Sequence, residues 1–150
     1  MELIALNQIV RVGLSIIIAK NGKLLMGLRK GTETADGLWA YPGGRMDFGE
    51  DPTTGIIREV LEETGLVVKE EDVEFLRYCN EFFPKEQRHY VSLVFFVSKF
   101  KGELVTKEKE KCEEWKWFHP DKVPANSFPP CIKNTRLTRI KIILTKNKKR

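Results

Sequence analysis

Residues 44–66 read GRMDFGEDPTTGIIREVLEETGL, and this stretch predicts a loop followed by a helix with defined ends. Asp51 is suited to the N-cap, and Pro52 to the first helical position, where a missing N–H does no harm. Gly65 is suited to the left-handed residue that ends the helix after Thr64. Gly55 inside the helix costs about 1 kcal/mol relative to alanine, so its presence predicts close packing. Within Arg58-Glu59-Val60-Leu61-Glu62-Glu63, the three glutamates fall at i, i+3 and i+4 and share a face. Such carboxylates repel, and the only neighbouring cation is Arg58. A divalent cation resolves the repulsion, and hard oxygen donors suit Mg2+ or Mn2+. Gly43 and Gly44 let the backbone approach a ligand closely, and a free carbonyl there is a further candidate ligand. Glu50 is placed to hydrogen-bond the loop or a metal-bound water. The plain alternative is a solvated acidic helix after a turn.

Working outward, Arg11–Ala19 alternates through Val12, Leu14, Ile16 and Ile18, which predicts a strand. Asn21-Gly22 predicts a tight turn, and Lys23–Arg29 the returning strand. Lys30–Gly37 reads as a loop and Leu38–Tyr41 as a short apolar segment, while Pro42-Gly43-Gly44 reads as a break in regular structure. Val73–Phe83 and His89–Phe100 predict two long strands, the second with Val91, Leu93, Phe95 and Val97 on one face. Lys107–Glu114 reads as a charged loop and Trp115–Phe118 as a short strand. A last helix is expected from Ile132 to about Asn147, with Leu137, Ile140 and Leu144 as its apolar stripe. The order of elements predicts an α/β (α+β) class with a mixed sheet and helices packed against it.

The chain has 150 residues, enough for a single domain over 1–150, and is 41% apolar, which excludes wholesale disorder. No apolar run is long enough to span a bilayer, and Met1–Val10 lacks a basic n-region, so the expectation is a cytoplasmic protein with no membrane partner. Cys79, Cys112 and Cys131 are widely spaced and suit neither a disulfide framework nor a zinc site. The net charge of +5 is unevenly distributed: no acid follows Asp121, and the helix and tail at about 132–150 are basic. Such a tail can contact nucleic acid, but a solvated helix end is the plainer reading. No aromatic-and-basic RNA signature interleaves elsewhere, so a nucleic-acid partner is not expected.

The spacing from Gly44 through Glu50, Arg58-Glu59-Val60 and Glu62-Glu63 to Gly65-Leu66 resembles the Nudix box at each defined position. The lead-in Trp39-Ala40-Tyr41-Pro42-Gly43-Gly44 shares the resemblance. The family implies a Nudix-type α/β/α sandwich with the box as loop–helix–loop. It implies metal binding by Glu59, Glu62 and Glu63 with the Gly43 carbonyl assisting. Arg58 is then an orienting partner that pairs with Glu50 or its neighbours, and these five side chains make up the catalytic set. The chain departs from many members in Gly55-Ile56-Ile57, where small alanines are usual, and in Tyr41, where Leu or Phe is.

Outside the box, His89-Tyr90-Val91, the segment Lys111–Phe118 and Arg29-Lys30-Gly31 look like the MutT-type nucleoside triphosphate pyrophosphatases. They look closest to the branch that contains a thiopurine-nucleotide diphosphatase. The resemblance implies (d)NTP cleavage to (d)NMP and pyrophosphate, and often a homodimer. Arg29, Lys30, Gly44 and Arg45 are the expected substrate-binding residues. Glu113 or Glu114 is a candidate base or further ligand, or else a solvated acid. Trp115 and Trp117 read as core, and His89 and His119 as structural. Alternatives are hydrolysis of ADP-ribose, a nucleotide sugar, a dinucleoside polyphosphate or capped RNA, a nucleic-acid-binding module, and a catalytically dead binding domain.

Overall fold

A computed structural model describes residues 8–32 and 35–147. The reading of the extreme N-terminus, the middle of the Lys30–Gly37 loop, and Lys148, Lys149 and Arg150 of the basic tail lie outside the described residues. The elements are β1 (Val10–Lys20), β2 (Lys23–Arg29), β3 (Trp39–Ala40), β4 (Gly43–Arg45), α1 (Pro52–Thr64), β5 (Glu74–Phe83), β6 (Arg88–Val97), β7 (Cys112–Phe118) and α2 (Pro129–Leu144). Short 3₁₀ turns occupy Glu70–Asp72 and Thr145–Asn147.

The sheet is mixed. Its main order is β3-β2-β1-β6-β5, with β4 also pairing β1 and β7 pairing β2. β1 and β6 run parallel, with Leu14 opposite Leu93 and Ile16 opposite Phe95; the β1–β2 and β5–β6 pairs are antiparallel. The β1–β2 turn places Asn21 and Gly22 at φ 54° and 78°, the left-handed values that an Asn-Gly hairpin needs.

Two cores form because the strand period sends alternate residues to opposite faces. Leu14, Ile16, Ile18, Phe95 and Val97 pack against Ile56 and Val60 of α1. Ile17, Ala19, Val94 and Phe96 pack against Cys131 and Ile142 of α2. With a helix on each face, the architecture is the expected α/β/α sandwich.

Three expectations need correction. Pro42-Gly43-Gly44 does not simply break the chain: Gly43–Arg45 is a strand, with Gly43 opposite Ser15 and Gly44 opposite Leu14. The charged segment before Trp115 becomes strand at Cys112, earlier than alternation suggested. The last helix starts at Pro129, and Leu137, Ile140 and Leu144 lie on its exposed side. Its buried side is Cys131, Asn134, Thr135, Thr138 and Ile142. That polar face is tolerated because its groups are satisfied. Arg77 Nη1 donates to Asn134 Oδ1 and Thr138 Oγ1, each at 3.0 Å, and Asn134 Nδ2 donates to the Pro130 carbonyl at 2.9 Å. Thr135 Oγ1 donates to the Cys131 carbonyl and is hydrogen-bonded to Tyr41 Oη. Helical spacing identified an apolar stripe, but hydrogen-bonding partners on the sheet decided which face turned inward.

Candidate active site

The box is held by caps at both ends of α1. Asp51 Oδ2 accepts from Thr53 N at 3.1 Å, and Gly65 takes the left-handed conformation at φ 77°. Gly55 is required by packing. A Cβ there would stand 2.6 Å from Leu14 Cδ1 and 2.7 Å from Glu50 Oε1. The helix thereby sits against β1 and against the loop that carries Glu50.

Gly43 and Gly44 serve the same close approach. A Cβ on Gly43 would lie 2.1 Å from the Leu14 carbonyl oxygen, and one on Gly44 would lie 2.5 Å from Glu59 Oε1. The Glu59 carboxylate therefore rests directly on the β4 backbone. Glu63 Oε2 accepts from Gly43 N at 3.0 Å. Both carboxylates are buried, whereas the Glu62 side chain is half exposed.

Arg58 organises the acidic cluster. Its Nε donates to Glu50 Oε2 at 2.6 Å and its Nη2 to Glu50 Oε1 at 2.9 Å, a bidentate pair. Its Nη1 donates to Glu59 Oε1 at 2.9 Å and to Glu62 Oε2 at 3.2 Å, and Nη2 also reaches the Arg45 carbonyl. The hydrogen bonds from Arg58 hold the Glu50 carboxyl down at about 2. Burial raises Glu59 despite its contact with Arg58. Burial pushes Glu63 up to about 8, against the opposing pull of Arg29 and the Gly43 N–H.

Burial raises both Glu59 and Glu63, and the cation nearest Glu63, Arg29 Nη1, stands 3.9 Å away, so a cation brought to this face would favour their charged forms. The donor set is all oxygen, which fits Mg2+ or Mn2+. Glu59 and Glu62 are turned to Arg58 and Glu63 to Gly43, and among the described residues no three acidic, His or Cys side chains already converge at ligating geometry.

These residues open into a cavity of about 530 Å³, within the range of small-molecule sites. Arg29, Gly43, Gly44, Arg45, Glu59, Glu62 and Glu63 all line it. Lys30 is exposed and is not among its walls, so the structure separates it from its neighbour Arg29. Arg58 and Glu50 stand behind the wall and reach it through Glu59 and Glu62. Glu113 and Glu114 do not line the cavity either; Glu114 Oε1 sits 3.5 Å from Lys116 Nζ. Glu108 and Lys111 of the preceding loop do line it. His89 is hydrogen-bonded to Asn80, and His119 lies near Asp121, neither in the cavity.

The opposite end of the cavity was not anticipated. Glu81, Phe83, Tyr90, Ser92, Phe128 and Asn134 line it. The signal was present in β5, where Arg77, Cys79, Glu81 and Phe83 share one face of the strand. A carboxylate on an inward stripe is unusual, but seeing it required knowing that this face is covered by α2.

Known proteins match the chain in sequence and in fold. The NUDIX domain family matches residues 8–135. The chain is 32% identical over 116 residues to an 8-oxo-dGTP diphosphatase of Buchnera aphidicola, covering 77% of this chain and 82% of that one. It is 31% identical over 112 residues to an ADP-ribose pyrophosphatase of Methanocaldococcus jannaschii, covering 75% of this chain and 63% of the relative, so it spans less than two thirds of that protein. The crystal structure of a MutT NUDIX hydrolase from Burkholderia pseudomallei superposes with a TM-score of 0.80 at 26% identity, covering 85% of this chain and 96% of that one. With its box built as a capped helix against β1 and β4, the chain belongs to the Nudix hydrolases, pyrophosphohydrolases of nucleoside diphosphate-linked compounds, and is MutT-like among them.

Proposed function

We propose that the chain cleaves a nucleoside triphosphate to the monophosphate and pyrophosphate, with Mg2+ or Mn2+ as cofactor. The observation that carries this reading is the gathering in one cavity of the buried carboxyls of Glu59 and Glu63 with the cations Arg29, Arg45 and Lys111. Carboxylates that need a cation and guanidinium groups that need an anion are together matched by a metal–polyphosphate. The names of the relatives support the same class, and the ADP-ribose pyrophosphatase among them keeps ADP-ribose and similar nucleoside diphosphate compounds as the second reading.

Glu59, Glu62 and Glu63 would hold the cation, with the Gly43 carbonyl assisting. When bound, a divalent cation neutralises phosphate oxygens and acidifies water for attack on phosphorus. Arg58 keeps Glu59 and Glu62 directed while Glu50 fixes Arg58 itself. Arg29 and Arg45 grip the phosphate chain, and Gly44 lets it approach the backbone. Lys30, outside the cavity, is left without a substrate role. The homodimer implied by the resemblance and the cytoplasmic location expected from the sequence are part of this proposal; among the described residues no helix is long and apolar enough to cross a membrane.

The test is a substrate panel with Mg2+, read by product analysis. Release of pyrophosphate and monophosphate from (d)NTPs is expected. Turnover confined to ADP-ribose, a nucleotide sugar, a dinucleoside polyphosphate or capped RNA overturns the triphosphate reading. A nucleic-acid-binding role of the basic tail predicts instead RNA affinity that falls steeply with salt and is lost on deleting residues 146–150.

A further inference from the structure

The end of the cavity away from the box holds a carboxylate that the phosphate chemistry does not use. Glu81 Oε2 accepts from Ser92 Oγ at 2.9 Å. Glu81 Oε1 has no hydrogen-bond partner among the described residues, although the side chain is partly buried in a cavity wall. Ser92 itself is fitted closely: a Cβ on Gly13 would stand 2.6 Å from its Oγ, so the absence of one leaves room for the hydroxyl.

The same end of the cavity also has flat apolar walls. Phe83 and Phe128 stack with centroids 5.6 Å apart at 20°, and both line the cavity. Two other polar groups nearby are spent. Asn134 accepts from Arg77 and donates to the Pro130 carbonyl, and Tyr41 Oη donates to the Cys131 carbonyl. Glu81 thus keeps hydrogen-bonding capacity at this end, and a carboxylate is an acceptor only.

We infer that Glu81 is a specificity-determining residue that accepts two adjacent N–H groups from the base of the substrate, which selects the guanine-type edge carrying a ring N–H beside an amino group. Adenine and cytosine present a ring acceptor beside their amino group, and thymine has no amino group. Each leaves one carboxylate oxygen facing an acceptor or nothing. Ser92 positions the carboxyl, and the aromatic pair supplies apolar surface for the base ring. A buried acceptor left unmatched is what turns such a contact into discrimination. Burial raises the Glu81 carboxyl above its ordinary range despite the Ser92 hydrogen bond, and further donors would favour its charged form.

This inference rests on the nucleoside triphosphate reading, and its test separates the two. Steady-state kcat/KM for dGTP and dITP is compared in the wild-type chain and in Glu81→Gln, with circular dichroism to verify folding. dITP lacks only the 2-amino group. The wild-type chain is expected to favour dGTP by roughly 10-fold to 100-fold, and Glu81→Gln to bring that ratio close to one. Equal use of dGTP and dITP by the wild type, or an unchanged ratio in the variant, overturns the inference. Binding of GMP against IMP by calorimetry provides a readout free of turnover. A Glu81-dependent GMP preference in a chain that cleaves no triphosphate keeps the base assignment and removes the triphosphate reading. No GMP preference in a chain that does cleave triphosphates does the reverse.

Discussion

Glu63 is the residue in which burial and charge are most opposed. Its folded-state value near 8 lies above the ordinary 4.5, so the neutral carboxyl is the form the metal-free fold favours. The stability that this preference contributes is full below about pH 4.5 and is lost as pH rises through about 8. Thermal unfolding of the metal-free chain is therefore expected to weaken from pH 5 to pH 9, by roughly 2–4 kcal/mol at the alkaline end. Glu63→Gln should flatten that slope, and so should saturating Mg2+, which binds the folded state. An unchanged slope in the variant counts against the burial argument. Turnover by Glu63→Gln should fall by orders of magnitude, and wild-type turnover would remove Glu63 from the proposed metal set. Arg58 poses the converse problem. Arg58→Ala strands the carboxyl of Glu50, whose side chain is only 10% exposed, and releases Glu59 and Glu62. A loss of about 1–3 kcal/mol is expected, with a double-mutant cycle against Glu50→Gln recovering part of it; strict additivity would mean that the pair is not coupled.

At the scale of elements, α1 works because two glycines allow it to lie close to its neighbours. Gly55→Ala gains about 1 kcal/mol of helix propensity but drives a methyl to 2.6 Å from Leu14 Cδ1 and 2.7 Å from Glu50 Oε1. Overpacking of this kind costs about 1–3 kcal/mol, so the net change is expected to be destabilising. A variant with a higher denaturation midpoint would show that Leu14 and Glu50 can move aside. Gly44→Ala acts on the other side of the site. Its methyl would meet the Glu59 carboxylate at 2.5 Å, and the end of a side chain gives way more readily than backbone does. Turnover should fall at least tenfold with a small change in melting temperature; the opposite pattern would place the role of Gly44 in the sheet. The helix α2 carries its own lesson. Leu137→Lys and Ile140→Lys should each stay within about 0.5 kcal/mol, since both positions are exposed. Asn134→Leu should cost about 1–3 kcal/mol, because Arg77, left with Thr138, and the Pro130 carbonyl each lose a side-chain partner. Denaturant midpoints for the three variants check both halves of this statement.

Across the whole molecule, the site exists because β1 is shared. Its central residues pair with β6 on one side and β4 on the other, while its end turns into β2. That arrangement brings Arg29, the β4 glycines and α1 to one end of the cavity, and β5, Ser92 and α2 to the other. The amino-acid sequence by itself determined the box helix and its caps, the long strands, a mixed sheet with helices against it, and the box spacing that carries the family resemblance. These rest on local rules: the period of apolar residues, the chemistry of caps and turns, and carboxylates four residues apart. Tertiary structure alone decided the rest. It made Gly43–Arg45 a strand, because β1 offered a free edge there, and it turned the polar face of α2 inward, because Arg77 and Tyr41 waited on the sheet. It removed Lys30 from the cavity while keeping Arg29 in it, and it placed Glu108 rather than Glu113 or Glu114 beside the box. It also brought Phe128, far away in the chain, to the Glu81 and Ser92 pair of the β5–β6 strands, a proximity that no local rule encodes.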